Sequence, residues 1–201
     1  MNSKIAAIIL TAGSSSRMGQ PKALMSWGRS CLLEHLVDEV HTADIQNLIL
    51  VTGAHHQEIL TALPGFKHLI CYNAEWESGM GRSIGIGATY LTTRFPELQG
   101  ILILLIDQPL IHASYRKEMI THFESDSCKI VASQFKDTKG APALFGKAYF
   151  KNLQQLSKDQ GAKPIIEQAG TDVFLLQADE LAKDVDTPDA YNQLKEKYGK
   201  I

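Results

Sequence analysis

The amino-acid sequence predicts an α/β fold: a single doubly wound, mostly parallel sheet of Rossmann-like type with helices on both faces. Three observations carry this. Unbroken apolar runs recur along the chain, segments of helical period lie between them, and a glycine- and serine-rich loop follows the first run directly. Residues 5–10, IAAIIL, form a run without polar interruption, as expected for a strand buried on both faces. Similar runs occupy residues 47–52, 100–106 and 129–133. Between them Leu32, Leu33, Leu36, Val37 and Val40 set a helical period across residues 30–42, and further helices are expected over 55–63, 83–93 and 114–124. This alternation implies right-handed β-α-β crossovers. After Phe135 the rhythm weakens. A turn is expected over residues 137–140, then an apolar Ala-Leu-Phe, two helices, a strand over 173–176 and a last helix capped by Thr187 and begun by Pro188.

With 201 residues the chain can bury a sizeable core without disulfides or a structural metal, and residues 1–201 are expected to form one domain. Hydrophobic residues make up 44% and charged residues 21%, with a formal net charge of −2, so there is no global attraction to nucleic acid. Cys31, Cys71 and Cys128 are odd in number and form no CxxC pair, a usage that suits a reducing cytoplasm. The apolar run of residues 5–10 is too short to span a bilayer, and no membrane association is expected.

Residues 10–22, LTAGSSSRMGQPK, leave the carboxyl end of the first strand, the usual ligand edge of an open α/β sheet. Thr11, Ala12, Gly13, Ser14, Ser15, Ser16 and Gly19 are small, so their backbone N–H groups can approach phosphate oxygens, while Arg17 and Lys22 add positive charge. The spacing excludes a Walker A loop, because Gly19 is followed by Gln20, Pro21 and Lys22. It also excludes GxGxxG, because no glycine stands two residues after Gly13. The competing account of this segment alone is a surface turn that happens to carry an arginine and a lysine.

Taken whole, the segment resembles the L/A-x-A/G-G-x-S/G-x-R-M-G-x-x-K signature of the MobA-like nucleotidyltransferases, particularly the molybdenum cofactor cytidylyltransferase branch. The resemblance extends over nearly the whole chain, since later motifs arrive in the family's order. It implies a Rossmann-like nucleotidyltransferase fold and a Mg2+-dependent reaction.

Asp107, in LLIDQPL, directly follows an apolar run and so reaches the same sheet edge. A carboxylate there can hold Mg2+ against phosphates, or it can simply open the turn before Pro109. The family carries a metal-binding Asp in its G-D-M-P or D-Q-P motif, which implies that role for Asp107. Asp184 and Asp186, in KDVDTPDAY, alternate along an extended segment and point the same way. They are either solvated charges before the last helix or the far side of a metal site. The resemblance to D-I/V-D-T-P-E/D implies a second metal contact, for which Asp186 is preferred to Asp184.

Residues 73–83 run from a strand into a glycine-interrupted helix. Each helical glycine costs about 1 kcal/mol relative to alanine, so a ligand or a neighbouring element must approach closely. The stretch resembles the family's N-x-x-W-x-x-G-M-x-x-S element beside the nucleotide base, which makes Asn73, Gly79 and Ser83 candidate nucleotide contacts. Thr52 and Gly53 end a strand on the same edge, and the Gly53 backbone can also read a base. His55 and His56 lack a metal-ligand spacing and are expected at an exposed helix start. Downstream, residues 139–145 and 158–163 resemble the family's G-x-P-x-x-F and G-D-x-G-A-R/K motifs, implying acceptor contacts at Gly140, Pro142, Asp159 and Lys163. Lys158 stands where the family has glycine. Lys163 can pair with an acceptor phosphate or face solvent.

The resemblance implies transfer of a nucleotidyl group from CTP to molybdopterin, with Arg17, Lys22 and Asp107 as the catalytic set. Guanylyl relatives read L-A-G-G-x-x-x-R-M-G-G-x-D-K, whereas Thr11-Ala12 and Gln20-Pro21-Lys22 here are closer to the cytidylyl pattern. Two other readings remain open on the sequence. One is a non-catalytic carrier that hands the cofactor to a molybdenum hydroxylase. The other is a related transferase using GTP or a sugar or alcohol phosphate acceptor.

Overall fold

A computed structural model describes residues 4–125, 128–136, 138–179, 181 and 183–199. Strand β1 (Ile5–Thr11) is buried along its whole length. Its alternate residues serve two cores: Ile5, Ala7 and Ile9 pack on one face of the sheet, and Ala6, Ile8 and Leu10 on the other. Two-sided burial explains why the run reads as continuously apolar.

The chain then forms a short antiparallel ribbon of β2 (Ser26–Trp27) and β3 (Ser30–Cys31) before helix α1 (Leu32–Thr42). The helix expected from residue 30 therefore starts two residues later, because Ser30 and Cys31 pair with Trp27 and Ser26. Strand β4 (Asn47–Thr52), helix α2 (His56–Ala62), strand β5 (Ile70–Tyr72) and helix α3 (Met80–Arg94) follow. Next come β6 (Gly100–Leu105), α4 (Ala113–Glu124), β7 (Ile130–Phe135) and β8 (Thr138–Gly146). Residue 137 of the expected turn lies outside the described residues, but residues 138–140 belong to β8 rather than to a turn. The chain closes with α5 (Phe150–Gln154), α6 (Lys163–Gln168), β9 (Val173–Gln177) and α7 (Pro188–Tyr198).

Seven strands form one sheet in the order β5-β4-β1-β6-β8-β7-β9. Every neighbour pairs in parallel except β8, which runs antiparallel to both β6 and β7. Helices α1, α2 and α4 cover one face through Leu36, Ile59 and Met119, and α3, α5 and α6 cover the other through Ile84, Leu153 and Ile166. The doubly wound, mostly parallel architecture expected from the sequence is thus present. Among the described residues no helix is long and apolar enough to cross a membrane.

A third apolar cluster lies beyond the sheet edge. Met18, Met25, Trp27, Leu32, Leu110, Val185, Tyr191 and Leu194 pack together, joining the loop after β1, the β2–β3 ribbon and α7. Tyr191 O–H donates to the Ser26 carbonyl at 2.5 Å, and the Thr187 hydroxyl caps α7 by accepting from the Ala190 N–H at 3.2 Å. Val185 is fully buried here, and its N–H donates to the Asp107 carbonyl at 2.8 Å. Truncation by Val185→Ala removes about two methylene equivalents from a closed cluster. It is expected to lower stability by about 2 kcal/mol, read as a lower urea midpoint at unchanged m-value.

Candidate functional site

Strands β4, β1 and β6 run parallel, so their carboxyl ends at Thr52, Thr11 and Leu105 meet on one edge. The loop after β1 passes over this edge. Gly13, Ser14, Ser16 and Arg17 are exposed there, and a side chain added at Gly13 would meet open space. The loop is held in shape internally: the Met18 N–H donates to the Ser15 carbonyl at 2.9 Å, and the Lys22 N–H to the Ser15 hydroxyl at 3.2 Å. Ser15 adopts a left-handed backbone, with φ of 50°, an arrangement that needs such ties to persist.

Lys22 is the centre of the site. Its Nζ lies 3.2 Å from Asp107 Oδ2 and 2.5 Å from Asp186 Oδ1, with the side chain only 13% exposed. Burial pulls the Lys22 pKa down, but the adjacent carboxylates of Asp107 and Asp186 outweigh it, so the net shift is upward and the ammonium stays charged. Asp107 moves up from the usual carboxylate range because burial penalises its charge, with Lys22 opposing. Asp184 is pushed up to about 6 by loss of solvation and by the charges of Asp107 and Asp186, against a hydrogen bond from Gln108.

Asp184 and Asp186 flank the buried Val185, so the extended backbone directs them away from the apolar cluster, as their alternation implies. The structure brings Asp186 to Lys22 and leaves Asp184 without that contact. Asp107 keeps a second oxygen, Oδ1, buried and without a hydrogen-bond partner among the described residues. An orphaned carboxylate oxygen beside another carboxylate is a fitting place for a divalent cation. Among the described residues no group of three or more His, Cys, Asp or Glu forms a closed cage. The donor set suits an ion that takes one or two protein carboxylates and completes its shell with phosphate and water.

A cavity of about 380 Å3 opens beside this cluster, lined among others by Thr11, Ala12, Gly13, Ser14, Lys22, His55, Trp76, Gly79, Ser83, Asp107 and Asp159. A shallower one of about 220 Å3 lies between residues 14–17, Lys22 and Asp186. Ser14, Ser15 and Lys22 line both, so the two cavities adjoin along the loop. Thr11 lies in its wall with its hydroxyl donating to the Val51 carbonyl at 3.1 Å.

Two residues expected at the base have other occupations. Asn73 is completely buried, donates through Nδ2 to the Ser83 hydroxyl at 2.9 Å and accepts from the Glu75 N–H at 2.9 Å. It fixes the segment that carries Trp76 and orients Ser83, which does line the cavity. Gly53 is covered: a Cβ there would lie 2.5 Å from the Trp76 Cβ and 2.6 Å from the Ala12 carbonyl oxygen. The glycine admits Trp76 against the loop. Gly79 has φ of 106° and abuts the Asp159 backbone, while the Gly81 N–H donates to the Lys158 carbonyl at 2.8 Å. The close approach inferred from the helical glycines is therefore made by neighbouring chain.

On the acceptor side the expected residues divide. Gly140 and Lys163 line a separate cavity of about 150 Å3 together with Lys139 and aliphatic walls from Ile84, Ile103 and Ile166. Asp159 lines the main cavity, and the two spaces share Met80 and Leu105. Pro142 is buried in β8, with its carbonyl accepting from the Ser133 hydroxyl at 2.8 Å. Lys163 is half-exposed and reaches Glu167 only at 4.0 Å, a loose pair that leaves the ammonium available. His55, Trp76, Glu77 and Met80 line the main cavity without having been singled out as contacts. The W and M of the resembled motif mark two of them, whereas nothing in the local sequence marks His55.

Known proteins resemble this chain in sequence and in fold. Residues 7–173 match the MobA-like NTP transferase domain. The bifunctional protein GlmU of Francisella tularensis subsp. novicida is 25% identical over 199 residues, covering 96% of this chain and 42% of that protein. The chain thus spans less than half the length of the curated relatives it matches. The crystal structure of Rv0371c from Mycobacterium tuberculosis H37Rv superposes with a TM-score of 0.80 at 25% identity, covering 96% of this chain and 98% of that one. Its complex with manganese superposes with a TM-score of 0.78 at 24% identity over the same shares of each chain. With the match extending over most of its length, the chain belongs to the MobA-like NTP transferase family, and the domain it forms is a nucleotidyltransferase domain.

Proposed function

We propose that the protein is a CTP:molybdopterin cytidylyltransferase, forming molybdopterin cytosine dinucleotide and pyrophosphate in the cytoplasm, with residues 1–201 acting as one domain. The observation that carries the transfer chemistry is the Lys22–Asp107–Asp186 cluster at the mouth of the glycine loop. In this reading the backbone N–H groups of residues 13–16, with Arg17 and Lys22, receive the triphosphate. Lys22 exchanges its carboxylate partners for phosphate oxygens as the nucleotide enters. Asp107 and Asp186 would hold Mg2+, with Asp184 enriching the negative charge nearby. When bound, Mg2+ supplies neutralisation of phosphate charge. An ionised phosphate oxygen of the acceptor forms the new bond to the α-phosphorus as the bond to the pyrophosphate oxygen breaks in line. That nucleophile carries no proton to be removed, so positioning and charge are what the chain must provide.

The donor assignment rests on Ala12 and Pro21, which follow the cytidylyl pattern, and the acceptor on the family resemblance. The aliphatic walls beside Lys139 and Lys163 support an acceptor with a flat or apolar body and an anionic group over a polyhydroxylated sugar. The non-catalytic carrier reading gains nothing from a buried carboxylate oxygen kept without a partner, a costly feature unless a cation uses it.

With molybdopterin, molybdenum-loaded or not, and Mg2+ present, pyrophosphate release is expected with CTP and at least about ten-fold slower with GTP, a discrimination of about 1.4 kcal/mol. A preference for GTP overturns the donor assignment. Asp107→Ala is expected to slow turnover by about 10^2 to 10^3 with the fold intact by circular dichroism. Full cofactor maturation in cells carrying that variant would favour the carrier. Titration with Mn2+ separates the remaining carboxylates. Because protonation of Asp184 near pH 6 removes a neighbouring negative charge, affinity is expected to be weaker at pH 5.5 than at pH 7.5. Asp184→Asn imitates the acid state at pH 7.5 with a loss below about ten-fold, whereas Asp186→Asn costs more than that.

A further inference from the structure

We infer that His55, as an imidazolium, is a positioning residue that latches the glycine loop from outside and sets how well that loop receives a nucleotide. Each of its ring nitrogens has a partner. Nε2 lies 2.8 Å from the Ser14 carbonyl oxygen, and Nδ1 lies 2.8 Å from Glu58 Oε1. A backbone carbonyl and an ionised carboxylate can only accept, so each ring nitrogen must carry a hydrogen, and a ring with both is charged. Partial burial lowers the His55 pKa, but the Glu58 carboxylate and then the Ser14 carbonyl raise it, and the net shift is upward from 6.5.

Geometry makes the latch specific to the loop. His55 stands between β4 and α2 and lines the main cavity along with Ser14. The residue it grips directly precedes Ser15, whose left-handed backbone is strained and persists only where its surroundings hold it. A second tie between the loop and the segment after β4 is the Ala54 N–H donating to the Ala12 carbonyl at 3.1 Å, two residues earlier. The remaining titratable groups around the cavity are Lys22, Glu77, Asp107 and Asp159, with Arg17 further along the loop. His56 turns elsewhere, to the Thr52 hydroxyl at 2.8 Å and the Tyr72 ring at 4.3 Å.

Loss of the proton leaves one N–H for two acceptors, and the carboxylate is the stronger of them. The Ser14 carbonyl is then released. Since the folded pKa lies above its unfolded value, the latch is fully present below pH 6.5 and is lost as pH rises through the folded pKa. A bound triphosphate adds negative charge nearby, so nucleotide and proton bind with positive coupling. The nucleotide consequence rests on the reading of residues 12–22 as the triphosphate cradle, while the latch itself does not.

The experiment has two arms. In the first, NMR titration of the histidine C–H signals of the nucleotide-free protein follows His55 from pH 5.5 to 9. A pKa above 6.5 is expected, lowered in Glu58→Gln, with the Ser14 to Ser16 amide shifts moving along the same curve and not moving in His55→Gln. A pKa at or below 6.5, or loop amides indifferent to it, overturns the latch. The second arm measures binding of CTP with Mg2+ by calorimetry at pH 6.5 and 8.5. Relative to wild type, whose ligand ionisation is common to all variants, His55→Ala is expected to bind about two- to ten-fold more weakly at pH 6.5, with the gap closing as pH rises through the His55 pKa read in the first arm. His55→Gln, which can still donate to Ser14, recovers affinity without the extra pH dependence. Identical profiles for wild type and His55→Ala overturn the role in nucleotide reception. Failure of wild type to bind either CTP or GTP with Mg2+ overturns the cradle, and with it the nucleotide consequence, and leaves the first arm to decide the latch.

Discussion

The site depends on a balance of charge at Lys22. Asp107 and Asp186 come from segments almost eighty residues apart in sequence, and the Val185 N–H bonded to the Asp107 carbonyl draws their backbones together. Two carboxylates brought so close repel. Unit charges 4 Å apart interact by about 4 kcal/mol at a dielectric typical of protein surfaces, before desolvation is counted, against about 1 kcal/mol net for a hydrogen bond. One ammonium between them makes the arrangement tolerable. For the same reason the cluster is receptive: any cation that takes over the carboxylates frees a lysine already poised at the glycine loop.

Holding that corner requires apolar packing away from the main sheet. The cluster of Met18, Trp27, Leu32, Val185 and Tyr191 anchors both the exit of the loop and the approach of the carboxyl-terminal segment. Its members are scattered over residues 18–194, so the chain end is as much a part of the site as the first strand. The short β2–β3 ribbon, which interrupts what the helical period would otherwise extend, supplies Trp27 to this cluster.

How far the molecule was legible depended on whether the forces involved leave a local trace. The runs that became β1, β4 and β6 were plain because burial on both faces leaves no polar positions. Strand β5 has three residues, too few to set a period, and the start of β8, where Thr138 to Gly140 read as a turn, pairs with β7 alone before Ala143 joins β6 as well. Lys22 was singled out as the basic end of the glycine loop, Asp107 by its place after a strand and Asp186 by the resembled D-V-D-T-P motif, and the structure brings the three side chains together. Asn73 and Gly53 were misjudged in their partners. An amide can serve a ligand or its own chain, and a glycine can admit a nucleotide or a tryptophan; residue type does not distinguish these. His55 was passed over for a related reason. One of its partners, Ser14, is 41 residues away and contributes only a carbonyl, which every residue has.

The contact between the Gly79–Gly81 corner and Lys158–Asp159 has a consequence for how this domain can diversify. A Cβ on Gly79 would lie 2.6 Å from Asp159 Cα, and one on Gly81 would overlap the Lys158 carbonyl oxygen. Neither glycine can therefore take a side chain, and Met80, held between them, lines both cavities together with Leu105. A substitution at Met80 or Leu105 reshapes both chambers at once. Under the proposed assignment of donor and acceptor, drift at this shared wall alters both preferences together, and the pair would be inherited as one trait.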